Sequence, residues 1–244
     1  LSKRVISNYF RTDCPRQLAL MLYPHNQRYE PERNALGMPP KAVGRTGINA
    51  LTEEGVRWEQ AKLQDLEQTF GNDAVLGIKT DGDFQDQKLV DVITRAVPGV
   101  FLVRPAYEVG ETFKRAATID VMSTQYDLAF AKLIPDLIQV IKPSAVGRTV
   151  EADGTVHEPD GRIGLRVIDA KMTAEPSASY FAEITYYSLA LAGWLHDQQL
   201  ADRYAVVAEA AICIKRSAMI LKRWKSTCLP RACGIFSTSS FEMR

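Results

Sequence analysis

The stretch "IGLRVIDAK", residues 163–171, decides the fold class. It opens as a buried β-strand and closes on an acid and a lysine. Successive strand side chains alternate faces, so Asp169 and Lys171 share one face while Ile168 and Ala170 share the other. Such a strand needs partners, and the chain offers several short apolar runs. "AVLGI" (74–78), "VFLVRPAYEV" (100–109) and "LIPDLIQVI" (133–141) precede it, and "YAVVAEAAICI" (204–214) follows. Within the connection before it, "TVEADGTVHE" (149–158) reads as a small β-hairpin turning at Asp153-Gly154.

Helical patterns flank these strands. Asp13-Cys14-Pro15 predicts a helix start, with Asp13 as N-cap and Pro15 in the first turn, running through "RQLALMLY". Residues 24–49, rich in Pro, Gly and Asn, read as a long irregular connection. Residues 52–70 read as an amphipathic helix stopped at Gly71-Asn72-Asp73, and residues 180–195 as another. No internal repeat is present. The order predicts a mixed α/β core with an N-terminal helical lobe. One domain is expected, divided into a helical lobe (1–72), a core (73–215) and a basic terminal segment (216–244).

The chain has 244 residues, 46% of them hydrophobic, enough for one sizeable core. No run approaches the ~18 apolar residues of a membrane span. The first residues carry charge but no apolar signal region, and four scattered cysteines do not make a disulfide scaffold. A soluble cytoplasmic protein, without a membrane partner, is the expectation. The net charge of +1 hides a division: residues 1–50 and 201–244 each carry eight Lys/Arg against three Asp/Glu, and residues 51–200 carry 14 against 23. Basic ends around an acidic centre suit a polyanion-binding rim around a cation-binding site, although surface charge varies along any chain.

Two acids lie inside apolar strands, Asp136 after Pro135 and Asp169 two residues before Lys171. Proline removes a ladder donor, so Pro135 implies an edge, a bulge or a strand start. Two converging carboxylates repel, and oxygen-only ligation of Mg²⁺ or Mn²⁺ resolves that. A lysine beside the ion serves to orient or deprotonate a water, or to stabilise a transferring phosphoryl group. The alternative is a plain Asp169–Lys171 salt bridge, with Asp136 capping a turn. In the 52–70 helix, Val56, Glu59, Leu63, Leu66 and Phe70 form one stripe, so Glu59 either points inward at a cation or snorkels to water. In the 180–195 helix, Glu183 and Tyr187 share a face with Ala190 and Trp194. Amphipathic packing accounts for Ala190 and Trp194 but not for Glu183.

With these elements the sequence resembles the PD-(D/E)XK nuclease superfamily, in its RecB-type branch that includes CRISPR-associated adaptation nucleases. "IPD" (134–136) resembles the PD element and "IDAK" (168–171) the (D/E)XK element. "AEITYYSLAL" (182–191) is similar to the branch's Q-x-x-x-Y helix, with Glu183 where Gln is usual and Tyr187 matching. "CPRQLAL" (14–20) resembles the cysteine-containing N-terminal element, and "GVRWEQAKL" (55–63) the helix that carries a His or Glu. The resemblance spans roughly residues 10–215. It implies a restriction-endonuclease-like mixed sheet flanked by helices, and Mg²⁺- or Mn²⁺-dependent hydrolysis of DNA phosphodiesters. Asp136 and Asp169 would ligate the metal with the Ala170 carbonyl, and Lys171 would assist the attacking water. Glu59 would be an upstream metal or support residue, and Glu183 and Tyr187 would order the site and the DNA backbone.

Two departures stand out. Glu183 adds negative charge near the site, and the 33 residues from Asp136 to Asp169 are many for the pair, a length the 149–158 hairpin absorbs. Asp120 and Asp127 are rivals for the first acid. Some relatives hold an iron–sulfur cluster with one early and three late cysteines. Cys14, Cys213, Cys228 and Cys233 match that order but not the close spacing of the last three, and Cys213 in "AAICI" reads equally as a buried thiol. The expected partners are DNA and other subunits of a repair or defence complex. A nuclease-fold scaffold without turnover is the alternative. A small-molecule α/β enzyme ranks last, because the chain lacks a Gly-rich phosphate loop, a G-x-S-x-G elbow or a paired His system.

Overall fold

The computed structural model describes residues 2–15, 47–117, 129–173, 175, 177–214 and 236–237. Helices α1 (Lys3–Thr12) and α2 (Ile48–Phe70) come first. Strand β1 (Val75–Leu76) is followed by the β2 (Ile78–Thr80) and β3 (Asp83–Gln85) hairpin, β4 (Gln87–Lys88) and helix α3 (Leu89–Ile93). Then come β5 (Phe101–Val103), β6 (Pro105–Ala106), helix α4 (Glu111–Ala116) and β7 (Leu137–Ile141). The β8 (Thr149–Val150) and β9 (Val156–His157) hairpin leads into β10 (Ile163–Lys171) and helix α5 (Ala178–Asp197). Strands β11 (Tyr204–Val207), β12 (Glu209–Ile214) and β13 (Phe236–Ser237) complete the described chain.

The fold is mixed α/β around a mixed sheet of order β1-β5-β7-β10-β11-β8-β9, with β12 paired to the last residues of the central β10 and β13 paired to β12. Strand β10 is its axis, antiparallel to β7 and parallel to both β11 and β12. Its nine residues coincide with the stretch read as the best strand. Leu165 and Val167 face the larger core, built with Ile138 and Val140 of β7 and the buried side of α5. Ile168 and Leu137 face the opposite way, onto Leu63 and Leu66 of α2. Alternation therefore puts Asp169 on the α5 side of the sheet, continuing the Leu165–Val167 face. Leu63 and Leu66 are almost fully buried, each burial contributing roughly 1.5–3 kcal/mol, which anchors α2 to the other face.

The apolar runs are more broken than their composition predicts. Residues 204–214 divide at Ala208. Ile163 pairs with Tyr204 but Ile168 pairs with Ala211, so two extra residues bulge out of the second strand. The run 74–78 divides at Gly77, where the Phe84 ring occupies the space of a Cβ. The run 100–109 divides at Arg104, whose φ of 47° lies in the left-handed region. The 149–158 hairpin forms as read, with Gly154 at positive φ in its turn.

The N-terminus differs from the sequence reading. Residues 3–12 form a helix that packs on α5, and Asp13 is its left-handed C-cap rather than an N-cap. Pro15 is helical as expected, and the remainder of that expected helix, with the connection after it up to residue 46, lies outside the described residues. The physical signal was divided: Asp13-Cys14-Pro15 is a boundary, and a boundary serves the helix before it as well as the one after. Helix α5 is also buried more widely than one stripe. Glu183, Tyr187, Ala190 and Trp194 are buried, and so are Tyr186, Leu191 and Leu195, because α1 and α4 pack against the same helix as the sheet does.

Candidate active site

Strands β7 and β10 run antiparallel, so the start of one lies beside the end of the other. Leu137 pairs with Ile168, which brings Asp136, just before β7, against the Asp169–Ala170 peptide. The Asp136 Oδ2 accepts the Ala170 N–H at 2.5 Å. On the other side, the Asp136 carbonyl accepts the Arg104 N–H at 2.9 Å, a bond aimed by the left-handed turn at Arg104. Pro135 thus stands ahead of a strand start, where its missing N–H costs no ladder bond.

Asp169 is 0% exposed, and neither of its carboxylate oxygens has a hydrogen bond of good geometry among the described residues. Its one close partner is the Lys171 ammonium, 2.7 Å from Oδ2. A buried carboxylate with so little compensation is costly. Burial raises its pKa to about 8, and the neighbouring Asp136 charge adds to the rise against the opposing Lys171. The Asp136 carboxyl is also raised, by burial and then by Glu59, while Lys3, the Ala170 N–H and Lys171 oppose the shift.

Helix α5 places Glu183 over this pair. Its Oε1 lies 3.2 Å from Lys171 Nζ and 3.1 Å from Lys3 Nζ, so one buried carboxylate oxygen is shared by two ammonium groups. Burial lowers the pKa of each lysine, but the surrounding carboxylates outweigh it and hold both raised. Both therefore remain charged at neutral pH. The Tyr187 hydroxyl turns inward and donates to the Ile134 carbonyl at 3.2 Å, tethering the segment that carries Asp136. Its pKa is raised by burial and then by Asp169, so it stays a phenol. The Tyr187 carbonyl in turn accepts from the Tyr107 hydroxyl at 2.8 Å.

Glu59 behaves differently. It lies on α2, across the sheet from Asp169, and pairs with Arg104 Nη1 at 2.5 Å. Arg104 Nε also reaches Asp86 at 2.9 Å. Of its expected stripe, Leu63 and Leu66 are buried but Val56 is exposed, so Glu59 marks the end of the buried face. Among the described residues no three His, Cys, Asp or Glu side chains are gathered closely enough to hold a metal ion. Cys14 follows the α1 C-cap, and Cys213 lies on β12 opposite Ala170. Cys228 and Cys233, together with the rival acids Asp120 and Asp127, lie outside the described residues.

Two residues of the cluster escaped the sequence reading, Lys3 and Arg104. Lys3 enters the sequence reading only as one of the eight basic residues of 1–50, although Val5 and Tyr9, four apart, are a helical cue for its segment. Arg104 carried a plainer signal, since a charge inside an apolar run requires a counter-charge. Comparison with protein-family models, with curated proteins and with solved structures finds no match.

Proposed function

We propose that the chain is a divalent-cation-dependent deoxyribonuclease with a restriction-endonuclease-like core. One observation carries the reading: Asp169 is wholly buried without a well-directed hydrogen bond, while Asp136 abuts the next peptide. Two carboxylates so held are unfavourable in their ionised form unless a cation joins them, and their oxygens suit a hard ion such as Mg²⁺ or Mn²⁺. Asp136 and Asp169 would hold it, and the bound ion would polarise a phosphate oxygen and acidify a water. The chain's own groups account for the rest. Lys171 keeps its proton, which supports a role as donor and charge stabiliser for the phosphodiester rather than as the base. Glu183 fixes the Lys171 ammonium, and Tyr187 fixes the backbone before Asp136.

A second reading, a nuclease-fold DNA-binding subunit without turnover, draws support from Glu59. That acid is engaged by Arg104 instead of joining the other two. Cleavage of end-labelled linear, circular and single-stranded DNA, with Mg²⁺, with Mn²⁺ and with EDTA, separates the two. The expected result is cleavage that EDTA stops and that Asp169→Ala and Lys171→Ala each abolish while the proteins stay folded. Undiminished cleavage by both variants sinks the mechanism, and DNA binding without cleavage by the wild type favours the second reading.

A further inference from the structure

Helix α1 belongs to the site through Lys3, and the remaining features of that helix suit one kind of partner. Its sequence, Lys3–Thr12, contains Lys3, Arg4 and Arg11 and no acid. Arg4 and Arg11 are exposed. Arg4, Asn8 and Arg11 are spaced four and three apart, which puts them along one side of the helix. Lys3, one residue before Arg4, lies about 100° round the helix from that side and turns toward Glu183 and the buried carboxylates.

The two lysines that share Glu183 are not equivalent. Lys171 has a second carboxylate, Asp169, and its side chain is only 19% exposed. Among the described residues, Lys3 makes its one ion pair with Glu183, and its side chain is 43% exposed. An ammonium offers three donors, and one shared oxygen engages a single one of them. The Lys3 ammonium also lies 5.5 Å from the centroid of the Tyr187 ring, which steadies it without removing its remaining donors. The group is thus oriented, charged and open on its solvent side, beside Asp136 and Asp169 but not consumed by them.

We propose that α1 is the phosphate-contacting wall of this site, with Lys3 the ammonium that grips the DNA backbone beside the reacting phosphodiester. This rests on the nuclease reading above. Glu183 then has a defined task, holding Lys3 and Lys171 side by side so that one meets the reacting phosphate and the other an adjoining one. Arg4 and Arg11 extend the contact along the strand.

The experiment is DNA binding by fluorescence anisotropy in EDTA across a range of salt concentrations, with wild type, Lys3→Met and Lys3→Arg. Each phosphate contact on duplex DNA contributes about 0.9 to the slope of log K against log salt. Lys3→Met is expected to make the slope shallower by about 1, and Lys3→Arg to restore it. In parallel, amine acylation of the wild-type protein, read by mass spectrometry, is expected to show Lys3 protected by DNA. Exposed Lys142, at the far end of β7, is the control that stays reactive. An unchanged slope in a folded Lys3→Met protein overturns the proposal, as does equal labelling of Lys3 with and without DNA. The second test needs no variant and stands even where Lys3→Met fails to fold. Absence of DNA binding by the wild type overturns the nuclease reading itself, and this inference with it.

Discussion

Asp169 is the residue on which stability and chemistry pull in opposite directions. Its carboxyl is buried beside Asp136 and, with its pKa raised to about 8, retains a proton in the native state that an unfolded aspartate loses near pH 4. Between those values the folded protein binds more protons than the unfolded one, so stability falls as pH rises. Asp136 is shifted in the same direction and adds to the slope. Lys3 and Lys171 are raised above the ordinary lysine value, and their contribution is fully present throughout this window, so neither masks it. The metal-free protein should therefore melt at a lower temperature at about pH 8 than at about pH 5, and Asp169→Asn should flatten that difference. Melting curves in EDTA at the two pH values measure it. Parallel pH dependences in wild type and variant would show that Asp169 is not the buried proton carrier.

At the scale of elements, the site depends on how closely α5 is held, because that helix carries both Glu183 and Tyr187. Two contacts with α4 fix its C-terminal half. Asp197 accepts the Thr112 N–H and hydroxyl, capping α4 from outside. Gly193 lies so close that a Cβ would come 2.7 Å from the Phe113 backbone nitrogen. A backbone atom cannot step aside as the end of a side chain can. Gly193→Ala should thus incur overpacking of about 1–3 kcal/mol, only partly offset by the roughly 1 kcal/mol that alanine gains over glycine in a helix. The expected outcome is a lower melting temperature with DNA cleavage retained well below it, since Gly193 is ten residues, about 15 Å of helix, from Glu183. A rise in melting temperature would mean that α4 does not press on this glycine. Helix α1 covers another part of α5, and through Lys3 it brings charge as well as packing to the site.

Across the whole molecule, what the sequence revealed and what it hid follow from how far each signal reaches along the chain. "IGLRVIDAK" and the α5 helix are legible because periodicity within one element defines them, and Asp169, Lys171 and Glu183 come with those elements. The two-residue bulge near Ala208, the turn at Arg104 and the docking of α1 depend on partners distant in sequence. The sequence therefore marks Arg104 as needing a counter-charge and residues 3–12 as helical, without showing that Arg104 and Lys3 meet the site's carboxylates. With those two residues included, the charge of the site can be counted. Asp136, Asp169 and Glu183 against Lys3 and Lys171 leave one negative charge, and Glu59 and Asp86 against Arg104, on the α2 side of the sheet where Glu59 still acts on Asp136, leave another, an excess of two when all are ionised. One divalent ion balances that excess; a monovalent ion does not. Because Asp169 must lose its proton to bind the ion, the gain should be larger at about pH 8 than at about pH 5. At one hundred times its dissociation constant the ion would stabilise by about 2.7 kcal/mol, or roughly 5–10 °C for a chain of this size. Thermal melts in Mg²⁺ or Mn²⁺, against NaCl at matched ionic strength, read this directly, and Asp169→Asn should abolish the divalent effect. Equal melting temperatures in divalent and monovalent salt would leave Lys3, Lys171 and Arg104 as the counter-charges of the cluster among the described residues, and the cation-dependent reading would fall.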